Sequence, residues 1–123
     1  MTCEIDSYDT SSTDFYNQIE IKKARKEHIC SECFVKIHKG DSYIYECGVF
    51  DGEFGTNKIC KDCQSLRGIF FCTYTWGGIW EEFEEYIYDN SCQVDYNKIE
   101  RLTPKAKARA IDIIDECFED SFI

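Results

Sequence analysis

Along the chain, the first period-two alternation of apolar and polar positions is "FYNQIEIKK" (15–23), which predicts a strand after an irregular stretch rich in Ser, Thr and Asp. "FVKI" (34–37) predicts a short strand and "HKGD" (38–41) a turn, with Gly40 able to adopt positive φ. "SYIYECGVF" (42–50), rich in β-branched and aromatic residues, is the strongest strand signal. Within it Cys47 alternates in step with Tyr43, Tyr45 and Val49, which makes it a candidate core residue. "DGEFG" (51–55) reads as a turn, "TNKI" (56–59) as a short strand and "KDCQSLRGIF" (61–70) as the opening of a helix.

The period then changes. In "IWEEFEEYIYDN" (79–90), Ile79, Trp80, Phe83, Tyr86 and Ile87 share one helical face, and Glu81, Glu82, Glu85 and Asp89 take the other. "VDYNKIERL" (94–102) is a weaker helix. The last helix has Thr103 as candidate N-cap and Pro104 at the first helical position. Ala110, Ile111, Ile114, Cys117 and Phe118 form its apolar stripe, and Asp112, Asp115, Glu116 and Glu119 its acidic one. The expected fold class is α+β, with Trp76, Trp80, Phe83 and the stripe around Ile111, Ile114 and Phe118 as the shared core.

At 123 residues, with no repeat and no long linker, the chain fits one domain. Three segments are distinguishable: an acidic N-terminal segment (1–21), a four-cysteine module (22–75) and a helical acidic half (76–123), with "WGG" (76–78) as the joint. The net charge of −10 is unevenly spread: residues 22–67 carry nine bases against seven acids, and residues 68–123 five bases against twelve acids. No apolar run approaches the roughly 18 residues of a membrane span, and the acidic start is unlike a signal peptide. The expectation is a soluble, cytoplasmic protein whose thiols stay reduced. In that setting nine cysteines argue for metal plus buried thiols rather than disulfides.

Four of those cysteines form two C-x-x-C pairs, Cys30/Cys33 and Cys60/Cys63, with 26 residues between them. Each such turn presents two thiolates to one ion, because backbone N–H groups point at the sulfurs. Two turns close a tetrahedron and leave no open position, the pattern of a structural zinc site. Iron is the rival ion for a four-thiolate cage. His28, two residues before Cys30, is a possible substitute ligand that four cysteines make unnecessary, and His38 reads as solvated. Cys72, Cys92 and Cys117, like Cys47, read as small buried thiols, and Cys3 as part of a mobile terminus.

The flanks of the pairs, a hairpin around the first, then two strands, then a helix beginning at the second, resemble a treble-clef zinc finger over about residues 28–70. The one departure is Phe34, where many zinc knuckles carry Gly. Treble clefs include nucleases of the His-Asn-His kind, but neither His28 nor His38 lies after the second pair, where that motif would continue. No phosphate loop, H-E-x-x-H or nucleophile elbow occurs. The reading is therefore non-catalytic.

Two binding modes remain. In the first, the acids of the two helices, Glu81, Glu82, Glu85, Asp89, Asp112, Asp115, Glu116 and Glu119, imitate a phosphate track and dock a basic host protein that handles nucleic acid. In the second, the cluster Lys22, Lys23, Arg25, Lys26, Lys36, Lys39, Lys58 and Lys61 around the metal, with Tyr43, Tyr45 and Phe50 interleaved, binds nucleic acid directly.

A second resemblance rests on "ARKEHICSEC", "IHKGDSYIYECGVFDGEF", "KICKDCQSLRGIFFC" and "WGGIWEEFEEYI", over about residues 24–88. These runs look like small zinc-binding proteins encoded by bacteriophages and prophages, a set largely without assigned activity. The resemblance implies a phage-borne accessory protein of the bacterial cytoplasm. By analogy with other small acidic phage proteins it implies an inhibitor of host defence of the anti-CRISPR kind.

Overall fold

The fold was analysed in a computed structural model, which describes Ile5 and residues 13–50, 52–72 and 77–121. It is a mixed α+β architecture with two small antiparallel sheets and four helices. Strand β1 (Thr13–Ile21) pairs with β4 (Tyr43–Phe50), and β4 with β5 (Glu53–Ile59), giving the order β1-β4-β5. The two-residue strands β2 (His28–Ile29) and β3 (Lys36–Ile37) form a separate hairpin. The helices follow: α1 (Lys61–Phe70), α2 (Ile79–Asp89), α3 (Tyr96–Glu100) and α4 (Pro104–Ser121).

Helix α1 spans the residues its sequence predicts, whereas the strand after "SYIYECGVF" starts earlier than expected. Phe50 pairs directly with Glu53, so the β4–β5 hairpin turns in two residues. An Asp-Gly pair suits that tight turn, and Gly52 adopts the positive φ of 81° it needs. The "HKGD" turn forms as read: the Asp41 N–H donates to the His38 carbonyl at 2.9 Å, and the His38 N–H donates to the Asp41 carboxylate at 3.0 Å.

The phase of β4 differs from the expected one. Ile44, Glu46 and Gly48 lie on its buried side, while of the expected set Tyr43 is buried and Tyr45, Cys47 and Val49 are only half-buried. Cys47, opposite Asn17 and Thr56 in the sheet, is therefore not a core residue. The cause is Glu46, which is fully buried because it faces Arg67 of α1. Arg67 donates from Nη1 to the Glu46 Oε1 at 3.0 Å and from Nη2 to Oε2, and Asn57 Nδ2 adds a bond to Oε1 at 3.2 Å. A buried carboxylate is tolerable only when paired and hydrogen-bonded, and this one is both.

The core sits between α1, α2 and α4. Helix α1 buries Cys63, Leu66, Arg67 and Phe70, and α2 buries Ile79, Trp80, Phe83 and Ile87, both at helical spacing. Phe70 meets Phe83 edge-on, with ring centroids 5.2 Å apart. In α4 the inward residues are Ala106, Ala110, Ile113, Ile114 and Cys117. Ile111 and Phe118, expected in the core, are instead 36% and 41% exposed. A disulfide from Cys117 to Cys92 sets that rotation: once Cys117 faces inward, Ile113, Ile114 and Ala110 share its side and Phe118 is turned away. Small residues at 106 and 110 let α4 approach closely.

The same bond corrects the reading of the remaining thiols. Cys92 and Cys117 are joined across a Cα–Cα distance of 5.8 Å, well inside the range a disulfide spans, and Cys72 is disulfide-bonded too. None of the three is a reduced core cysteine. Cys3 and Trp76 lie outside the described residues. No helix among the described residues is long and apolar enough to cross a membrane.

Candidate metal centre

Cys30 follows β2, and Cys33 closes the turn that leads to β3. The turn is held by two backbone bonds: Phe34 N–H to the Cys30 carbonyl at 2.9 Å and Cys30 N–H to the Val35 carbonyl at 3.0 Å. Reversing the chain this tightly places Phe34 in the left-handed region, at φ 63°, where glycine is favoured. Cys60 follows β5 directly and is the N-cap of α1, and Cys63 lies in that helix's first turn. The Ser31 N–H donates to the Lys58 carbonyl at 2.9 Å, which ties the first turn to the strand carrying the second pair.

The four sulfurs lie within 4.8 Å of one another. Cys30 Sγ is 3.7 Å from Cys63 Sγ, and Cys33 Sγ is 3.7 Å from Cys60 Sγ. A regular tetrahedron of thiolates about 2.3 Å from a central ion has edges of about 3.8 Å. The spacing therefore fits one metal ion, and the sulfurs are unbonded to each other. Cys30 and Cys63 are buried, and Cys33 and Cys60 half-buried.

Proton sharing within the cluster points the same way. Hydrogen bonds from Cys60 and Cys63 hold the Cys30 thiol far below the usual thiol range. The reciprocal bond to Cys30 pushes Cys60 up to about 12 and pushes Cys63 up as well, with burial adding to both. Without a cation these bonds favour a thiolate at Cys30 and thiols at Cys60 and Cys63. A divalent ion would replace those protons, so binding and proton release are coupled.

Groups outside the four ligands orient them. The Cys60 N–H donates to Cys30 Sγ at 3.3 Å, and the indole N–H of Trp80 donates to Cys63 Sγ at 3.3 Å. The Arg109 guanidinium lies over the same indole, 4.4 Å from the ring centroid. Trp80 thus joins the cluster to α2 and α4. Glu32, inside the first C-x-x-C turn, makes a second joint. It is 4% exposed, and its carboxylate accepts the N–H groups of Gly77 at 2.6 Å and Ile79 at 3.4 Å, capping the start of α2. Burial raises the Glu32 pKa. Gly77 and Gly78, at φ 88° and 73°, give the backbone the left-handed path that brings those N–H groups to Glu32.

His28 is half-buried and meets the Tyr43 ring at a tilt, with centroids 5.1 Å apart, outside the ligand set, and its pKa is lowered by burial and by the charges of Lys58 and Lys26. His38 is exposed. Thr103 stands at the expected N-cap position, its carbonyl accepting the Lys107 N–H at 2.8 Å, but its hydroxyl donates to the Asp62 carboxylate at 2.6 Å and ties α4 to the first turn of α1.

The acids singled out on the helices are exposed, apart from the half-buried Glu82. Helices α2 and α4 run side by side in the same sense, since Trp80 meets Arg109, and Tyr88 donates to the Asp120 carboxylate at 2.6 Å. That bond first, with burial and the charges of Asp120, Glu84 and Glu116, pushes the Tyr88 phenol up to about 12. Of the expected acids, Glu116 joins this seam, in company with Glu84 and Asp120, which the sequence reading did not single out.

No family model matches the chain, and no curated protein or solved structure is detectably similar to it.

Proposed function

We propose that the chain is a non-catalytic binding protein built around one structural zinc ion held by Cys30, Cys33, Cys60 and Cys63 in a treble-clef-like frame, and that the acidic ends of α2 and α4 dock a basic host protein. Four sulfurs fill a tetrahedral ion's coordination, leaving no position for water or substrate, and an ion without redox chemistry suits such a role. The reading of zinc rather than iron is tested by elemental analysis together with the absence of visible charge-transfer absorption.

The observation that carries the binding reading is the placement of charge against the helix dipoles. A helix C-terminus favours cations. Neither α2 nor α4 has a base in its last turn, and Glu84, Glu116 and Asp120 converge there around Tyr88. The opposite choice would favour folding; the Tyr88 bond accounts for Asp120 alone, and the exposed Glu84 and Glu116 are left to meet a partner. The partner implied is a basic surface of the kind that grips nucleic acid. A phage-borne inhibitor of host defence is the form of this function to which the motif resemblance leads.

The test is a pull-down from bacterial host lysate with the wild-type chain and with the triple variant Glu84→Gln, Glu116→Gln, Asp120→Asn. A nucleic-acid-handling protein captured at low salt, released at raised salt and missed by the variant is expected. Recovery of nucleic acid alone, or capture indifferent to the three substitutions, would overturn the reading.

A further inference from the structure

The chain between β1 and the first cysteine runs Lys22, Lys23, Ala24, Arg25, Lys26. Ala24 is buried at 3% exposure, its N–H donating to the Asp41 carbonyl at 2.8 Å and its carbonyl accepting from the Gly40 N–H at 2.9 Å. Those two bonds pin the backbone and leave its four charged neighbours exposed. The four line a groove of about 600 Å³ along with His28 and Tyr43. A smaller cavity of about 200 Å³, with Lys58 in its wall, also has His28 in its lining.

The ion pairs distinguish these cations from the others. Lys36 is held by Glu27 at 3.3 Å and Lys61 by Glu20 at 3.0 Å. Glu20 is the one acid on the groove's wall, so its charge is already committed. Among the described residues, Lys22, Lys23, Arg25 and Lys26 enter no ion pair. Four neighbouring cations with no acidic partner among the described residues repel one another. A concave track of fixed positive charge is what a chain of phosphates fits.

We propose that this groove binds the phosphodiester backbone of nucleic acid, without base readout, through Lys22, Lys23, Arg25, Lys26 and Lys58. The site is separate from the acidic seam of α2 and α4 and stands without it. The overall charge of −10 works against the encounter, and the uncompensated tetrad supplies the local field that overcomes it.

Fluorescence anisotropy of a labelled single-stranded 20-mer of mixed sequence, with the metal-loaded full chain, tests this across a salt series. Five phosphate contacts on a single strand predict a log–log salt slope of about −3.5, or about a hundredfold weaker binding at 200 mM than at 50 mM salt. The quadruple variant Lys22→Gln, Lys23→Gln, Arg25→Gln, Lys26→Gln keeps one contact. Its slope falls to about −0.7, so the same salt change costs about threefold. All four side chains are exposed, so the variant retains the wild-type circular dichroism and metal content. Arg101→Gln with Lys105→Gln, which removes two exposed cations from the helical half, leaves the slope unchanged. A duplex of the same sequence shows whether a free strand or a paired one is the better source of the backbone. The inference is overturned by an absence of binding at 50 mM salt, by a slope the quadruple variant does not change, or by an equal loss in the control pair. It is equally overturned by a salt-sensitive homodimer that excludes the oligonucleotide. Neutralising the acidic seam leaves the expected result in place, so the two functional readings fail separately.

Discussion

In the sheet half, four cysteine sulfurs approach to 3.7 Å and remain unbonded to one another; in the helical half, Cys92 and Cys117 are joined. Both arrangements staple a small core, but by different physics. The four-sulfur cluster takes either protons or a cation between its sulfurs, so its stability depends on pH and metal supply. The disulfide restricts the unfolded chain and depends on redox conditions. The two halves should therefore respond to different treatments. The cysteine cluster itself reaches the helical half through the Trp80 indole N–H on Cys63 Sγ and the Glu32 carboxylate at the start of α2.

Depriving the four-sulfur cluster of the proposed ion should have the largest effect. Apparent binding energies of structural zinc reach about 10–16 kcal/mol, comparable to the whole stability of a domain. Cys60→Ser, or chelation of the wild type at neutral pH, is expected to unfold at least residues 28–70. Hydrogen exchange should show β4 and β5 losing protection and the start of α2 following, since Glu32 can no longer hold it. A native melting profile in a metal-free Cys60→Ser protein would mean that the cluster is not a structural site. Acidification should mimic chelation, because protons compete with the ion for sulfur.

Breaking the disulfide should cost less and act elsewhere. The bond closes a separation of 25 residues, for which chain-entropy arguments give about 3.5 kcal/mol. The pair Cys92→Ser with Cys117→Ser should lower the melting temperature while leaving the metal stoichiometry unchanged. Exchange should quicken at the C-terminal ends of α2 and α4, where Tyr88 and Asp120 meet. If metal is lost together with the disulfide, the two staples are one cooperative unit and the contrast between the halves fails.

What the sequence disclosed follows from how local each device is. A C-x-x-C pair is a single turn, so its geometry is written in four consecutive residues, and all four members of the cluster were legible. The helical face of α2 was legible for the same reason: five apolar positions repeat within two turns. A disulfide records only that two distant backbones pass within reach, and nothing around Cys92 or Cys117 announces it. Glu46 shows a second limit. Read as polar, it assigned the opposite phase to β4 and sent Cys47 inward; its true place in the core needs Arg67, 21 residues away. Glu32 fails in the same manner, since its partners at 77 and 79 become neighbours only after folding. The rotation of α4 was misjudged because Ile111 and Phe118 are as apolar as the residues that replaced them, and only the tie to Cys92 selects among them.

The smallest expected effect tests whether the metal turn is built for stability alone. Phe34 is the feature by which the first C-x-x-C turn departs from glycine-bearing knuckles, and it sits at φ 63° with its side chain 75% exposed. A non-glycine residue in that conformation costs about 1–2 kcal/mol, and a ring so exposed recovers little of it by burial. Phe34→Gly removes the strain but adds freedom to the unfolded chain, which returns roughly 0.4–1 kcal/mol. The net expectation is a gain of up to about 1 kcal/mol, read as a small rise in melting temperature at saturating metal. Phe34→Ala keeps the left-handed strain and should leave stability almost unchanged. A gain with Gly and none with Ala locates the cost in the backbone, so the exposed ring is held there at the expense of the turn that carries it. Should both variants destabilise the protein, the ring contributes packing that its exposure conceals, and the metal turn is supported by more than its backbone bonds and the ion.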